Sequence, residues 1–322
     1  MRYRAATLAL VLTGLNGQAD ALQVGSHAAT VRMPRAAAAR MEVATKGTQL
    51  QSLLDANSAL VNELASVGPD MSELTRLRFA LQFKDSAEAK DAMKEAVAWR
   101  TGEGKAIVDS AAEAVAKATA GGGWDNDAVR DAAPHAALIN QFITPKNILS
   151  LSTDAGDLVY VVRASQIEDK EMMSKVSVDQ LVEFLLFVKE VHSLVVNARS
   201  ERLGRLCNVI FANDITGTRK APDPLFSKGL QASSKSYEKL YPSLAGPTLI
   251  LNLPLILQAF VGLFKPLFPK VVQERLKFEK APYLSKLNEL TPLTTDQGAK
   301  QAFLKEIDSI LGPVGVVAPT RS

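Results

Sequence analysis

A chain of 322 residues with 47% hydrophobic content is long enough to bury a real core and to form two modest domains. Its formal net charge is only +3, part of it in the first forty residues, so no broad basic field of the nucleic-acid-binding kind is expected. The single cysteine, Cys207, excludes an internal disulfide, and no apolar run is long enough to cross a membrane as a helix.

Residues 1–21 carry Arg2 and Arg4, an apolar core over Ala5–Leu15, and the small-x-small triplet Ala19-Asp20-Ala21, which is signal-peptide patterning. Residues 22–45 follow with no acid from Leu22 to Met41, while Arg32, Arg35 and Arg40 alternate with Ala, Ser and Thr. That composition suits a disordered transit peptide. The two together look like the bipartite leader of an algal secondary plastid, the alternative being a plain secretory leader with a basic linker.

From 46 to 123 the pattern is helical. Leu50, Leu53, Leu54, Leu60, Val61 and Leu64 predict a helix over Thr48–Ala65, ended by Gly68-Pro69. A second helix is expected to open at Asp70 and to carry Leu74, Leu77, Phe79, Ala80 and Leu81. A third opens with Asp85 as N-cap and Glu88 three residues on, and runs to Arg100. An alanine-rich helix from Lys105 reaches the hinge Gly121-Gly122-Gly123.

Beyond 124 strands alternate with helices. Leu158–Arg163 and Cys207–Asn213 read as buried strands, Val178–Ala198 as a helix apolar on most of its circumference, and Pro222–Leu240 as a further helix. Thr248–Asn252 reads as a strand between Pro247 and Pro254. Pro254–Phe264 is a helix apolar nearly all round, with Leu255, Ile256, Leu257, Phe260, Val261, Leu263 and Phe264, ended by Lys265-Pro266. A last strand near Leu276–Glu279 and a helix over Gln297–Leu311 follow. The alternation implies an α/β fold with a largely parallel sheet covered by helices.

The stretch Tyr241-Pro242, Leu249-Ile250-Leu251-Asn252-Leu253-Pro254 and Phe264-Lys265-Pro266-Leu267-Phe268 resembles the CRAL-TRIO lipid-binding family. Leu77-Arg78-Phe79 through Lys84-Asp85, with Met93 and Trp99-Arg100, is similar to the helical lobe that precedes that domain, Gln82 replacing the usual second arginine. The resemblance implies a helical lobe over 46–123 and a lipid-binding domain over 124–318, whose sheet floors a cavity gated by the mobile helix Pro254–Phe264. It implies a monomeric carrier of one lipid or lipophilic molecule that touches a membrane surface transiently. Lys265 matches the lysine that contacts the inositol headgroup in phosphatidylinositol-transferring relatives. The glutamate that partners it there falls on Ala232 here, and the hydroxyl pair used for phosphatidylcholine falls near Val209 and Phe211. These departures argue against phosphatidylinositol exchange. Phe184, Phe187, Phe211, Phe226, Leu249, Leu251, Phe260 and Phe264 are the candidate lining residues.

Chemistry beyond binding finds little footing. Gly102-Glu103-Gly104-Lys105 lacks the Ser/Thr of a phosphate loop, and no Gly-x-Ser-x-Gly elbow exists. His27, His135, His192 and Cys207 have no metal-ligand spacing, so neither metal nor cofactor is expected. His192 reads as a hydrogen-bonded packing residue, and the acidic residues read as solvated helix faces. The expectation is a carrier and not an enzyme, the alternative being a non-transporting scaffold at a membrane complex.

Overall fold

The computed structural model describes residues 49–83, 85–121, 124–145, 147–152, 156–163, 166–214, 222–251, 276–279 and 288–289. The N-terminal lobe consists of α1 (Gln49–Ala56), α2 (Ser58–Ala65), α3 (Glu73–Gln82), α4 (Ser86–Thr101) and α5 (Lys105–Thr119). The first expected helix is broken at Asn57, because polar side chains there take up backbone carbonyls. Asn57 Nδ2 donates to the Leu53 carbonyl at 2.7 Å, and Ser58 Oγ donates to that of Asp55 at 2.9 Å. Helix α3 starts at Glu73, not Asp70, since the Ser72 hydroxyl is the cap and accepts from Thr75 N–H. Asp85 caps α4 as expected, accepting from Glu88 N–H at 3.0 Å.

After α6 (Asn126–Ala132) and α7 (Ala136–Ile139) comes β1 (Ile148–Ser152), a strand that the sequence pattern did not reveal. It pairs antiparallel with β2 (Leu158–Arg163). Then follow α8 (Asp169–Met173), α9 (Val178–Leu203), β3 (Val209–Asp214), α10 (Pro224–Leu240), β4 (Ala245–Leu251), β5 (Leu276–Glu279) and β6 (Asn288–Glu289). The sheet order is β5-β4-β3-β2-β1-β6, with β2 to β5 mutually parallel and the two outer pairings of β1 antiparallel. This is the largely parallel α/β sheet that the alternating elements imply.

Helix α9 organises the packing. A capping box of Ser177 and Gln180 starts it, and Gly204 in the left-handed region ends it at Leu203, five residues past the expected Ala198. It packs against α5 of the lobe and against α10. Leu181, Phe184, Leu185, Leu186, Phe187, Val191, Val195 and Val196 are all buried in one core that extends into the lobe through Leu77, Phe79 and Met93. Strand β4 begins two residues before Pro247. Val209 pairs with Ala245 but Phe211 pairs with Thr248, so Gly246 and Pro247 together oppose Ile210 in a bulge. A proline lacking its N–H is tolerated inside an interior strand at such a point.

The lobe is fastened to the sheet by Arg78 of α3, which is 3% exposed. Its guanidinium donates to Asn197 Oδ1 of α9 at 2.9 Å, to the Cys207 carbonyl at 2.7 Å, to Asn208 Oδ1 at 3.3 Å and to the Ser243 carbonyl at 2.8 Å. Burial lowers its pKa to about 10, still charged at neutral pH. Ser243, at φ 52°, also donates to Gln82 Oε1 at 3.3 Å. Replacing Arg78 by methionine strands the buried Cys207 carbonyl and the part-buried Ser243 carbonyl, and the Arg78→Met variant should lose about 3 kcal/mol in urea unfolding. Loss of less than about 0.5 kcal/mol would contradict this role.

Candidate functional site

Successive residues of a strand face opposite sides of a sheet, so register sorts the strand residues into two rows. Leu158, Tyr160 and Val162 share a row with Val209, Phe211 and Asn213, and β4 places Thr248 and Ile250 beside them. Two rings on this row, Tyr160 and Phe211, meet α9 and α10. Tyr160 packs edge-on against His192 of α9 at 4.9 Å between ring centres and against Phe211 at 6.1 Å. Phe211 meets Tyr237 of α10 at 5.6 Å, and Tyr237 lies 5.6 Å from Tyr241, just ahead of β4. An aromatic chain therefore crosses one face of the sheet from α9 to the end of α10.

Polar groups are set into this face. Lys189 of α9 donates to the carbonyl of Ser233 at 2.8 Å and to its hydroxyl, and its ammonium stands 5.1 Å over the Tyr237 ring. Burial pushes its pKa down to about 7, with Glu238 acting against the shift. Burial and then Lys189 push His192 down to about 3, so its imidazole is neutral; its Nε2 is 3.0 Å from Ser150 Oγ of β1. That matches the hydrogen-bonded packing role expected of it. Glu190, 1% exposed, departs from the expectation that the acids lie on solvated faces. Arg100 of α4 grips both its oxygens, Nη1 donating to Oε2 at 2.9 Å and Nη2 to Oε1. Burial works against the Arg100 charge, but Glu190 more than restores it and raises its pKa. The Tyr241 pKa is raised by burial and by Glu190.

Two spaces adjoin α9. A cleft of about 480 Å³ lies at the joint with the lobe, between the Gly68–Ser72 turn, α3, α4 and the Tyr241-Pro242 turn, with Arg100, Glu190 and Asn197 in its wall. A smaller cavity of about 90 Å³ lies between α6, α7, β1, β2 and the first half of α9. Ile143, Ile148, Tyr160, Phe184, Phe187, Val191 and His192 are among its lining residues.

The candidate lining residues are thus divided. Phe184 and Phe187 line the smaller cavity, and Phe211 belongs to the aromatic chain on the same side of the sheet. Phe226 is buried in the core on α10. Leu249 and Leu251 pair in register with Ala212 and Asp214 of β3, and the placement of their side chains lies outside what is described. Phe260, Phe264, Lys265 and the whole expected gate Pro254–Phe264 lie outside the described residues, as does the expected helix Gln297–Leu311. Sequence reasoning passed over Tyr160, Lys189, Glu190 and Tyr237. The only signal was three polar residues, Lys189, Glu190 and His192, within an apolar helical run.

Residues 144–294 match the CRAL/TRIO domain family. The chain carries a CRAL/TRIO domain. All six strands fall within the matched residues, together with Tyr160, Lys189, Glu190, His192, Phe211 and Tyr237, while Arg78 and Arg100 precede them. A crystal structure of Sfh5 aligns over 65% of this chain and 68% of that chain, at 13% identity and a TM-score of 0.38. No curated protein matches the chain.

The depressed Lys189 pKa makes a prediction with a definite sign. The unfolded chain holds this proton up to the ordinary value of 10.5, the folded CRAL/TRIO domain only up to about 7. Unfolded protein therefore binds more protons between those limits, and Lys189 makes stability rise with pH across that window. Urea midpoints measured from pH 7 to pH 10.5 should climb less steeply in Lys189→Met than in the parent. An unchanged slope would show that Lys189 is charged and solvated.

Proposed function

We propose that the protein binds one lipid or lipophilic small molecule over the Tyr160–Phe211 side of its sheet and transfers or presents it between membranes. The observation that carries this reading is the cavity against Tyr160, Phe184 and Phe187, apolar in most of its wall and walled on one side by residues of the CRAL/TRIO match and on the other by residues just ahead of it. Pockets for small ligands have this character, with few polar groups in an apolar surround. Burying acyl or isoprenoid carbon contributes ~0.8 kcal/mol per CH₂, which holds such a ligand out of water without a charged anchor.

The gate in this reading is the apolar segment Pro254–Phe264, which links β4 to its parallel neighbour β5. Ala232 and Phe211, at positions where phosphoinositide- and phosphatidylcholine-binding relatives carry polar groups, favour a ligand without those headgroups. We assign no catalytic role to any residue, and a monomer suffices for carriage. The leader composition of residues 1–45 supports delivery to a plastid, which a fluorescent fusion of the full chain would test.

A specific feature favours a second reading, a scaffold without cargo. The Phe211 ring already fills the space between Tyr160 and Tyr237. Transfer of fluorescent lipid between donor and acceptor vesicles separates the two. Carriage predicts measurable transfer that Phe260→Asp with Phe264→Asp reduces at least ~10-fold, since each places a charge where an apolar face must meet the bilayer. Transfer unaffected by that pair of changes would remove the gate, and no transfer of any lipid would favour the scaffold.

A further inference from the structure

The cavity between α6, α7, β1, β2 and α9 has three polar atoms that no described residue satisfies. The Tyr160 hydroxyl, the Trp124 indole Nε1 and the Asn140 amide Oδ1 are each shut off from solvent with no hydrogen-bond partner among the described residues, and all three side chains line this one cavity. Tyr160 as a residue is 8% exposed, and burial raises its pKa, so it stays a neutral phenol. Buried polar groups are almost always hydrogen-bonded, and three orphans on one wall mark a place where an occupant supplies the bonds.

Their chemistry specifies the occupant. The Trp124 nitrogen only donates, the Tyr160 hydroxyl donates or accepts, and the Asn140 oxygen only accepts. Apart from Asn126, the other polar groups of the lining are already engaged. Asn140 Nδ2 donates to the Arg130 carbonyl at 3.0 Å, and Ser150 and His192 are held to each other. Charge is scarce as well: the Arg130 guanidinium donates to the Ile143 carbonyl at 3.1 Å, burial lowers its pKa, and burial keeps His192 neutral. An anionic phosphate or carboxylate entering here would give up its hydration for a wall whose one cation is already committed. A hydroxyl group, by contrast, offers two lone pairs and one proton, the complement of two donors and one acceptor.

We propose that this cavity seats the neutral, hydroxyl-bearing end of a lipophilic alcohol and excludes charged headgroups. The inference rests on the lipophile-binding reading above and specifies its ligand class. A volume of about 90 Å³ takes a polar end and its first few carbons, not a whole lipid, so the remainder of the ligand lies outside it. Ordered water is the competing occupant, since the space holds several molecules.

The test offers the delipidated full-length protein an equimolar mixture of 1-hexadecanol, hexadecane and hexadecanoate, and reads occupancy by native mass spectrometry. The alcohol should exceed the alkane by ~10-fold, the worth of one or two buried hydrogen bonds. Tyr160→Phe and Trp124→Phe should each remove most of that preference and leave alkane uptake unchanged. Tyr160→Phe deletes an oxygen that no protein group bonds, so its thermal unfolding should match the parent, which separates loss of binding from loss of fold. Equal uptake of alcohol and alkane means that the cavity holds water only, and the proposal falls while carriage stands. Preference for hexadecanoate overturns the neutral-head assignment. Uptake of none of the three sinks carriage and this proposal together.

Discussion

The geometry of this protein depends on one buried cation. Arg78 reaches from the helical lobe into the place where α9, the entry to β3 and the turn before β4 converge, and its hydrogen bonds reach all three. Each acceptor it serves is a buried or part-buried carbonyl or amide, so moving the lobe would leave these groups without that partner. The Tyr241-Pro242-Ser243 turn is held from a second side by Gln82 and lies beside the Arg100–Glu190 pair. Strand β4, and with it the start of the segment proposed as the gate, is thereby set relative to helices far earlier in the chain.

That frame explains why the sheet can present an aromatic face with polar groups in it. Desolvated Lys189, neutral His192 and the paired Glu190 are tolerated because each has a partner on a neighbouring element: Ser233 on α10, Ser150 on β1 and Arg100 on α4. The satisfied groups fasten helices to the sheet. Three others, on Tyr160, Trp124 and Asn140, have no hydrogen-bond partner among the described residues and cluster in one cavity. Packing and ligand specificity are therefore separable here at the level of single atoms.

Much of this fold was legible in the sequence, because periodicity and caps are local. The buried circumference of α9, the Asp85 cap and strands β2, β3 and β5 follow from residues close together in the chain. What escaped was non-local or exceptional. Strand β1 is a five-residue run whose partner β2 alone reveals it, and β4 starts early because a bulge accommodates Pro247. Glu190 was misjudged because its partner Arg100 lies 90 residues upstream. The lining residues were only partly legible, since a phenylalanine facing a cavity and one facing the core have the same pattern. Phe184 and Phe226 differ in tertiary placement alone.

The central claim is that the CRAL/TRIO domain carries a single lipophilic guest on the aromatic side of its sheet. Native mass spectrometry of the freshly purified protein, followed by extraction and identification of whatever leaves it, tests that claim most directly. Carriage predicts one stoichiometric lipophile that exchanges when vesicles containing other lipids are offered. A mass that corresponds to protein alone, and stays so beside phospholipids, galactolipids, carotenoids and tocopherols, would contradict it.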